Sequence, residues 1–319
     1  MTNPWDAEQV VSPKLAKDLI ETQFPDLYPV TVSLMGKGFD NTVYLVNEKY
    51  VFRFPRRTIA VDLLNTENSL LPILSSVLPQ AISHPIFFGK SVTGKYPWPF
   101  TGYYRVEGTP PNTLSKLERM NSAKILATFL RSLHDFPEEK ARLLGVPFDE
   151  LKRLDIRKRK RVAEKYIEQI KTLQLYDQVS SLMSYIEQVD HIDVEQKSTL
   201  VHGDIHIRNI LVNENNTVSG FIDWGDVHIG HPAVDLSIVY SFLPPEGRSV
   251  FFSHYGKVDE ETLLLAKFKA VFTTIILLMY GYDHNDRKLI EASKQSLDLM
   301  FCEENTLTLS RSKKMEDKK

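Results

Sequence analysis

Apolar positions alternate with polar ones in the first third of the chain and recur at helical spacing over most of the remainder. The alternation predicts short strands at residues 30–34, 43–46 and 51–54, and near residues 86 and 104. The helical spacing predicts helices at residues 13–22, 62–74, 121–136, 154–173, 179–189, 261–280 and 286–301. Pro72 interrupts the second of these helical patterns and leaves the end of that helix open. Strands in one part and helices in the other indicate an α+β fold.

A Gly- and Pro-rich break follows the aromatic strand near residue 104, and such a break favours a boundary between two lobes. We predict an amino-terminal lobe at residues 1–106, a hinge at residues 107–113 and a carboxy-terminal lobe at residues 114–309. Residues 310–319 are polar and charged, and we expect this tail to be disordered.

Polar side chains flank a second short strand pair near the middle of the chain. Apolar runs at residues 210–212 and 218–222 predict a β-hairpin centred near Asn216. Asn209 and Asp223 would lie opposite each other at the open end of that hairpin. Oxygen ligands that converge in this way suit a magnesium ion.

Asp204 lies on the segment that leads into this hairpin, where its carboxylate is a candidate base. Taken singly, an Asp or Asn near a turn is most often an ordinary surface residue. The ordered set of Asp204, Asn209 and Asp223 favours a phosphoryl-transfer site over that alternative.

Composition limits the possible partners and compartment. The chain has 319 residues, of which 42% are hydrophobic and 25% charged, as is typical of a soluble globular protein. A net charge of −2 provides no field that favours nucleic acid or an anionic membrane. The single Cys302 excludes a disulfide framework, and the chain begins without an apolar signal segment. We expect a cytoplasmic monomer without nucleic-acid or membrane partners, and we interpret the basic run at residues 153–161 as a solvated helix face.

The segment His202-Gly203-Asp204-Ile205-His206-Ile207-Arg208-Asn209 resembles the catalytic loop His-Gly-Asp-x-His-x-x-Asn of the aminoglycoside phosphotransferase and choline kinase-like family. Asp223 matches the metal-binding Asp of that family, and residues 230–236 are similar to its Gly-x-Pro-x-x-Asp-Leu stretch. The resemblance extends from about residue 34 to residue 243. It implies a two-lobed protein-kinase-like fold, with a small antiparallel sheet in the amino-terminal lobe and a mainly helical carboxy-terminal lobe.

The resemblance also implies roles for individual residues. Asp204 would accept the proton of the attacking hydroxyl, while Asn209 and Asp223 would hold Mg²⁺ on the nucleotide phosphates. Support of the catalytic loop would come from His202, His206 and Asp235. For His206, an approach to the phosphates remains a second possibility.

The amino-terminal half contains the matching phosphate-binding elements. Gly36 and Gly38 lie in a turn whose Gly-x-Gly-x-Asp-Asn form is similar to the loops of macrolide kinases and of one branch of aminoglycoside kinases. Arg53 occupies the strand position where protein kinases have a phosphate-binding lysine, and Glu67 is its expected partner. The alternatives for Arg53 are a purely stabilising ion pair or a homologue with impaired catalysis.

The expected reaction is transfer of the γ-phosphate of ATP or GTP to the hydroxyl of a small molecule. A macrolide or aminoglycoside antibiotic is the favoured acceptor, with a sugar or amino-alcohol metabolite as the alternative. A nucleotide-binding pseudokinase also stays open. Among several candidate acids for contacting the acceptor, Asp226 is the best placed.

Overall fold

The structure is a computed structural model that describes residues 7–38, 40–112, 114–189 and 197–316. It divides into two compact units. The first comprises Met1–Glu107, Glu139–Val146 and Phe221–Asp226, and the second comprises Gly108–Glu138, Pro147–Gly220 and Val227–Lys319. The sequence predicted lobes that are continuous along the chain, whereas the first unit takes in two later segments.

The first unit is built on a five-stranded antiparallel sheet with strand order β1-β2-β3-β6-β5. Its elements are α1 (Pro13–Gln23), a 3₁₀ turn (Pro25–Leu27), β1 (Val32–Lys37), β2 (Asn41–Val46), β3 (Tyr50–Pro55), α2 (Ile59–Leu74), β4 (Ala81–Ile82), β5 (His84–Gly89) and β6 (Phe100–Tyr104). The small antiparallel sheet predicted for this part of the chain is confirmed.

Aromatic side chains fill the core of the first unit. Phe52, Phe54 and Phe100 are fully buried, and the rings of Phe54 and Phe100 stack at 4.7 Å. Glycines on β5 and β6 make room for them, because a Cβ on Gly102 would lie 2.5 Å from the Phe52 ring. The period-2 pattern of β3 thus packs one face of the sheet into a dense apolar layer.

Helix α2 begins three residues earlier than predicted and continues through Pro72 to Leu74. Pro72 removes one backbone N–H donor, yet it lies in the last turn, where its loss affects only the helix end. Leu64, Leu70 and Leu71 bury the apolar face of the helix and place Glu67 toward the sheet.

The second unit is mainly helical. Chain order after the first unit is α3 (Lys116–Asn121), α4 (Ala123–His134), α5 (Glu138–Leu143, largely in the first unit), α6 (Ile156–Thr172), α7 (Val179–Gln188), β7 (Thr199–Val201), β8 (Ile210–Val212), β9 (Val218–Phe221), β10 (His228–Gly230), α8 (Ala233–Phe242), α9 (Pro245–Tyr255), α10 (Glu260–Asp283) and α11 (Arg287–Glu316). An antiparallel sheet followed by mainly helical elements confirms the α+β fold class expected from the sequence.

Several element predictions need correction. The helix expected at residues 121–136 is α4, which begins two residues later and ends two residues earlier, and the short helix α3 before it was not predicted. Helix α8 was missed because nearly every one of its residues is buried, so it has no polar face to reveal a helical period. Helix α11 includes residues 310–316 of the expected disordered tail, in a stretch without Gly or Pro, while residues 317–319 lie outside the described residues.

The hairpin predicted around Asn216 is present in the second unit. Strands β8 and β9 are neighbours in one sheet, and the N–H of Asn213 donates to the carbonyl of Thr217 across the turn at 3.0 Å. Asn216 has φ of +57°, a left-handed conformation that Asn tolerates better than most residues. The hairpin therefore forms where the turn residues indicated.

Helix α10 is apolar and long enough, by length and composition, to cross a membrane. Its most apolar 18-residue window has a mean hydropathy of 1.9, and 67% of that window is buried inside the fold. It packs against α8 and α11 in the helical core of the second unit.

Candidate active site

The glycine turn between β1 and β2 is held by backbone and arginine contacts. The N–H of Gly38 donates to the carbonyl of Asn41 at 3.0 Å, and the side chain of Arg56 donates to the carbonyl of Gly38. A Cβ built on Gly36 meets no atom within 4 Å, so open space lies over the turn. A ligand can therefore approach this backbone closely. Phe39, inside the turn, lies outside the described residues.

Arg53 is the centre of an ionic group in the first unit. Its Nη1 donates to both carboxylate oxygens of Glu67 at 3.0 Å, and its Nη2 donates to Asp223. Tyr103 donates its hydroxyl to Glu67 at 3.2 Å. The Arg53 and Glu67 side chains are 15% and 2% exposed, against 53% for Asp223. One planar guanidinium thus links a buried carboxylate to an exposed one.

Burial and charge act in opposite directions on this group. Burial disfavours the charged form of Arg53, but Glu67 and then Asp223 raise the pKa of its guanidinium above the usual value. Burial also raises the pKa of Glu67, and Arg53 opposes that effect. The guanidinium stays protonated and carries a fixed positive charge.

Asp223 has a strained backbone. Its φ is +67°, which is uncommon for any residue other than glycine and is often found at functional sites. The indole of Trp224 is buried next to it and donates to the carbonyl of Phe221 at 3.3 Å. The segment that carries Asp223 is therefore anchored while the carboxylate remains exposed.

In the second unit, the fully buried carboxylate of Asp235 holds the start of the catalytic loop. It accepts the backbone N–H of His202 at 2.7 Å and that of Gly203 at 2.9 Å. His134 lies 3.3 Å from the same carboxylate and contacts Tyr255 through its other ring nitrogen. Burial opposes ionisation of Asp235, yet the hydrogen bond and charge of His134 lower the pKa of the carboxyl.

Asp204 lies at the centre of the loop, with its side chain 34% exposed. His206 lies 3.3 Å from its carboxylate, and the side-chain amide of Asn209 donates to the Asp204 carbonyl at 2.9 Å and to its carboxylate at 3.3 Å. Burial raises the pKa of Asp204, but the charges of His206 and Lys269 outweigh it and hold that pKa below its usual range. The carboxylate is thus ionised and positioned on one side by the amide of Asn209.

The predicted magnesium ligands have suitable donor atoms. Asn209 uses its amide nitrogen on Asp204, and among the described residues its amide oxygen accepts no hydrogen bond. Asp223 adds an exposed carboxylate. One amide oxygen and one carboxylate fit the preference of Mg²⁺ for oxygen ligands. Asn209 belongs to the second unit and Asp223 to the first, so the convergence expected from the hairpin stays a prediction.

Some residues at these sites were not predicted from the sequence. Lys269, on α10, lowers the pKa of Asp204 although the two residues are far apart in the chain. Tyr103, on β6, contacts Glu67 of α2. No local motif marks either residue, because each is brought to its partner only by folding. The role predicted for Asp226, which is exposed in the first unit, stays a prediction.

Sequence comparison identifies a matching protein family and a similar protein. Residues 31–266 match the phosphotransferase enzyme family, APH. Over 60 residues the chain is 28% identical to the uncharacterized protein YcbJ of Bacillus subtilis (strain 168), a match that spans 19% of this chain and only 20% of that relative.

Similar solved structures cover almost the whole chain. The GDP complex of wild-type aminoglycoside 2'-phosphotransferase-IIIa is 25% identical and covers 90% of this chain and 98% of its own, with a TM-score of 0.64. The apoenzyme of macrolide 2'-phosphotransferase MphH from Brachybacterium faecium is 17% identical and covers 89% of this chain and 97% of its own. Its TM-score of 0.56 shows a shared fold.

Proposed function

The chain belongs to the phosphotransferase enzyme family, and we propose that it transfers the γ-phosphate of ATP or GTP to a hydroxyl of a small molecule. The observation that carries this proposal is Asp204, an ionised carboxylate fixed by Asn209 and His206 in a loop that Asp235 anchors. A carboxylate held in this way can orient an attacking hydroxyl and accept its proton.

The phosphates of the nucleotide are assigned to the glycine turn and Arg53. The open space over Gly36 gives them access to backbone N–H groups, and Arg53 supplies a permanent positive charge. Glu67 fixes the direction of the guanidinium, because both of its carboxylate oxygens accept from Nη1 of Arg53. One similar solved structure is, by its name, a complex with GDP. This supports a guanine nucleotide as an alternative to ATP.

Magnesium is assigned to Asn209 and Asp223, whose oxygen atoms fit it. When bound, the ion would neutralise charge on the transferred phosphoryl group. The chain itself orients those two ligands: Asn209 through its amide bonds to Asp204, and Asp223 through Arg53.

Two classes of small molecule are proposed as the acceptor. Relatives of similar fold include an aminoglycoside and a macrolide phosphotransferase by name, which supports an antibiotic hydroxyl as acceptor. A metabolite is the second candidate, and it is favoured by the positive charge of Lys269, which lowers the pKa of Asp204 together with the contact from His206. A polycationic aminoglycoside would need acidic side chains there. We further propose a cytoplasmic monomer that needs neither nucleic acid nor a membrane, supported by the net charge of −2.

The test is turnover of ATP and GTP against a panel of macrolides, aminoglycosides, sugars and amino alcohols, with Asp204→Asn as the key variant. We expect this variant to lower kcat by roughly 10²- to 10⁴-fold, the usual contribution of a general base. Asp177→Asn, which neutralises an exposed acid between α6 and α7 of the same unit, is the matched control and should retain kcat. Near-full activity of Asp204→Asn would reject the assigned role, and no phosphate transfer by the wild-type protein to any acceptor would reject the function.

A further inference from the structure

One face of α10 lies against the catalytic loop in the second unit. Thr273 of α10 and His206 of the loop line the same small cavity, and Lys269 donates to the hydroxyl of Thr273 at 2.8 Å. His206 also lies 3.3 Å from the carboxylate of Asp204. An acceptor whose hydroxyl reaches Asp204 must therefore lie next to this helix face.

Arginine guanidinium groups stack on two aromatic residues of the same helix. The guanidinium of Arg159, from α6, lies 5.4 Å from the centre of the Phe272 ring, one helical turn from Lys269. The guanidinium of Arg208, from the catalytic loop, lies 4.9 Å from the centre of the Tyr280 ring. A guanidinium stacked on an aromatic face is held in place with its N–H edge still available.

Arg159 is partly buried and has few polar partners. Its Nη2 donates to the carbonyl of Leu151 at 3.1 Å, while its Nε is buried without a hydrogen-bond partner in the described structure. Among the described residues it forms no ion pair. The charges of Asp149 and Asp155 raise the pKa of Arg159, but both carboxylates have other partners. Asp149 pairs with Arg153 at 2.6 Å, and Asp155 caps α6.

This environment differs from the solvated helix face predicted for the whole basic run. Arg157, Lys158 and Arg161 are exposed as predicted, but Arg159 turns inward over Phe272. Burial, and then repulsion from Arg153, lower the pKa of Arg159, so its surroundings oppose the charge that it carries. A half-buried cation without a carboxylate partner is costly unless an anion joins it.

We propose that the acceptor carries an anionic group, a phosphate or a carboxylate, in addition to the hydroxyl that it presents to Asp204, and that Arg159 binds this group. The inference rests on the proposed phosphotransferase function and narrows its substrate class. Lys269, which belongs to α10, and Arg208, which stacks on Tyr280 of α10, add positive charge along the same helix. An acceptor with several positive charges would be repelled by this surface, whereas an anionic one would be attracted.

The experiment compares acceptors that differ mainly in charge. Neutral sugars are paired with their phosphates and sugar acids, and an aminoglycoside and a macrolide complete the set, all with saturating MgATP. We expect the anionic member of at least one pair to have a kcat/KM at least roughly tenfold higher than its neutral parent, as one charge-assisted hydrogen bond would give. The KM of the anionic acceptor should rise with salt.

Variants then assign the effect to Arg159. Arg159→Gln should raise KM for the anionic acceptor by roughly 10- to 100-fold while kcat and the KM for ATP stay close to wild type. Arg161→Gln is the matched control, because it removes an exposed charge from the same helix. Unfolding midpoints of both variants identify any loss of folding, and the salt dependence of wild-type KM tests the inference independently of the variants.

The outcomes separate the two levels of the proposal. Preferred turnover of a neutral or cationic acceptor, or an Arg159→Gln enzyme with unchanged KM for an anionic one, would overturn the anionic acceptor while leaving the phosphotransferase function intact. Absence of phosphate transfer to every acceptor would reject the function and this inference with it.

Discussion

Asp235 shows how a single buried carboxylate can organise a loop. It is fully buried, and two consecutive backbone N–H groups and one histidine ring contact it. Hydrogen bonds to the ionised form lower the pKa of a carboxyl and link its charge to the folded state. The residue therefore contributes to stability and, in the proposed reaction, positions Asp204 for turnover.

The first residue-scale prediction concerns Asp235→Asn and pH. The pKa of Asp235 is lowered in the fold below its unfolded value of about 3.9. The unfolded state then binds more protons at acid pH, so the contribution of Asp235 is complete above about pH 5 and is lost as pH falls through the folded pKa. We expect Asp235→Asn to be less stable by about 2 kcal/mol near pH 7, with a gap that narrows below about pH 4.

Denaturant unfolding between about pH 3 and pH 7 measures that gap. Asp283→Asn is the control, since it changes an exposed acid at the end of α10, and it should follow the wild-type curve within about 0.5 kcal/mol. A gap for Asp235→Asn that stayed constant with pH would mean that the carboxylate charge contributes nothing.

At the scale of elements, two glycines beside β-hairpins differ in what a side chain would meet. Gly36, in β1, faces open space. Gly108 has φ of +124°, and a Cβ there would lie 2.8 Å from the carbonyl oxygen of Val212 in β8. The first glycine gives a ligand access to the backbone, and the second allows two parts of the same unit to pack.

We predict opposite effects of alanine at these two positions. Gly36→Ala should change stability by less than about 0.5 kcal/mol and raise KM for the nucleotide, because the methyl group enters the space assigned to the phosphates. Gly108→Ala should lower stability by about 1 to 3 kcal/mol, from backbone strain and the contact with Val212. Unfolding midpoints and nucleotide KM values measure both, and an unchanged KM for Gly36→Ala would remove the glycine turn from the phosphate site.

At the scale of the whole molecule, the first unit is assembled from distant parts of the chain. Asp223 reaches Arg53, and the hydroxyl of Thr66 lies 3.3 Å from the carbonyl of Gly145. These contacts connect the segments at residues 139–146 and 221–226 to a unit otherwise formed by the start of the chain.

The prediction at this scale concerns nucleotide and magnesium. A ligand that binds only the folded state stabilises it by about 2.7 kcal/mol at 100 times its Kd. We expect MgATP or MgGTP to raise the Tm, removal of magnesium with EDTA to reduce that rise, and Asp223→Asn to lose the magnesium-dependent part. Differential scanning calorimetry at fixed protein concentration measures these changes. A Tm that no nucleotide changes would contradict the proposed donor.

The sequence by itself determined the local parts of this protein. Alternation predicted β2 and β3, turn residues predicted the hairpin around Asn216, and the catalytic-loop motif indicated the family, because each depends on neighbours in the chain. Strongly periodic helices such as α6 were also predicted nearly to their ends. The all-apolar α8 was not, since burial on every side removes the period that marks a helix.

Only the tertiary structure decided which side chains meet across the fold. It brought Arg159 over Phe272 and placed Lys269 where its charge lowers the pKa of Asp204, and no spacing along the chain specifies either arrangement. The same basic run that looked uniform in sequence therefore contains exposed residues and half-buried cations, among them Arg159. Local propensity sets the elements, but the charge around Asp204 depends on how the helices pack, and the proposed anionic acceptor follows from that packing.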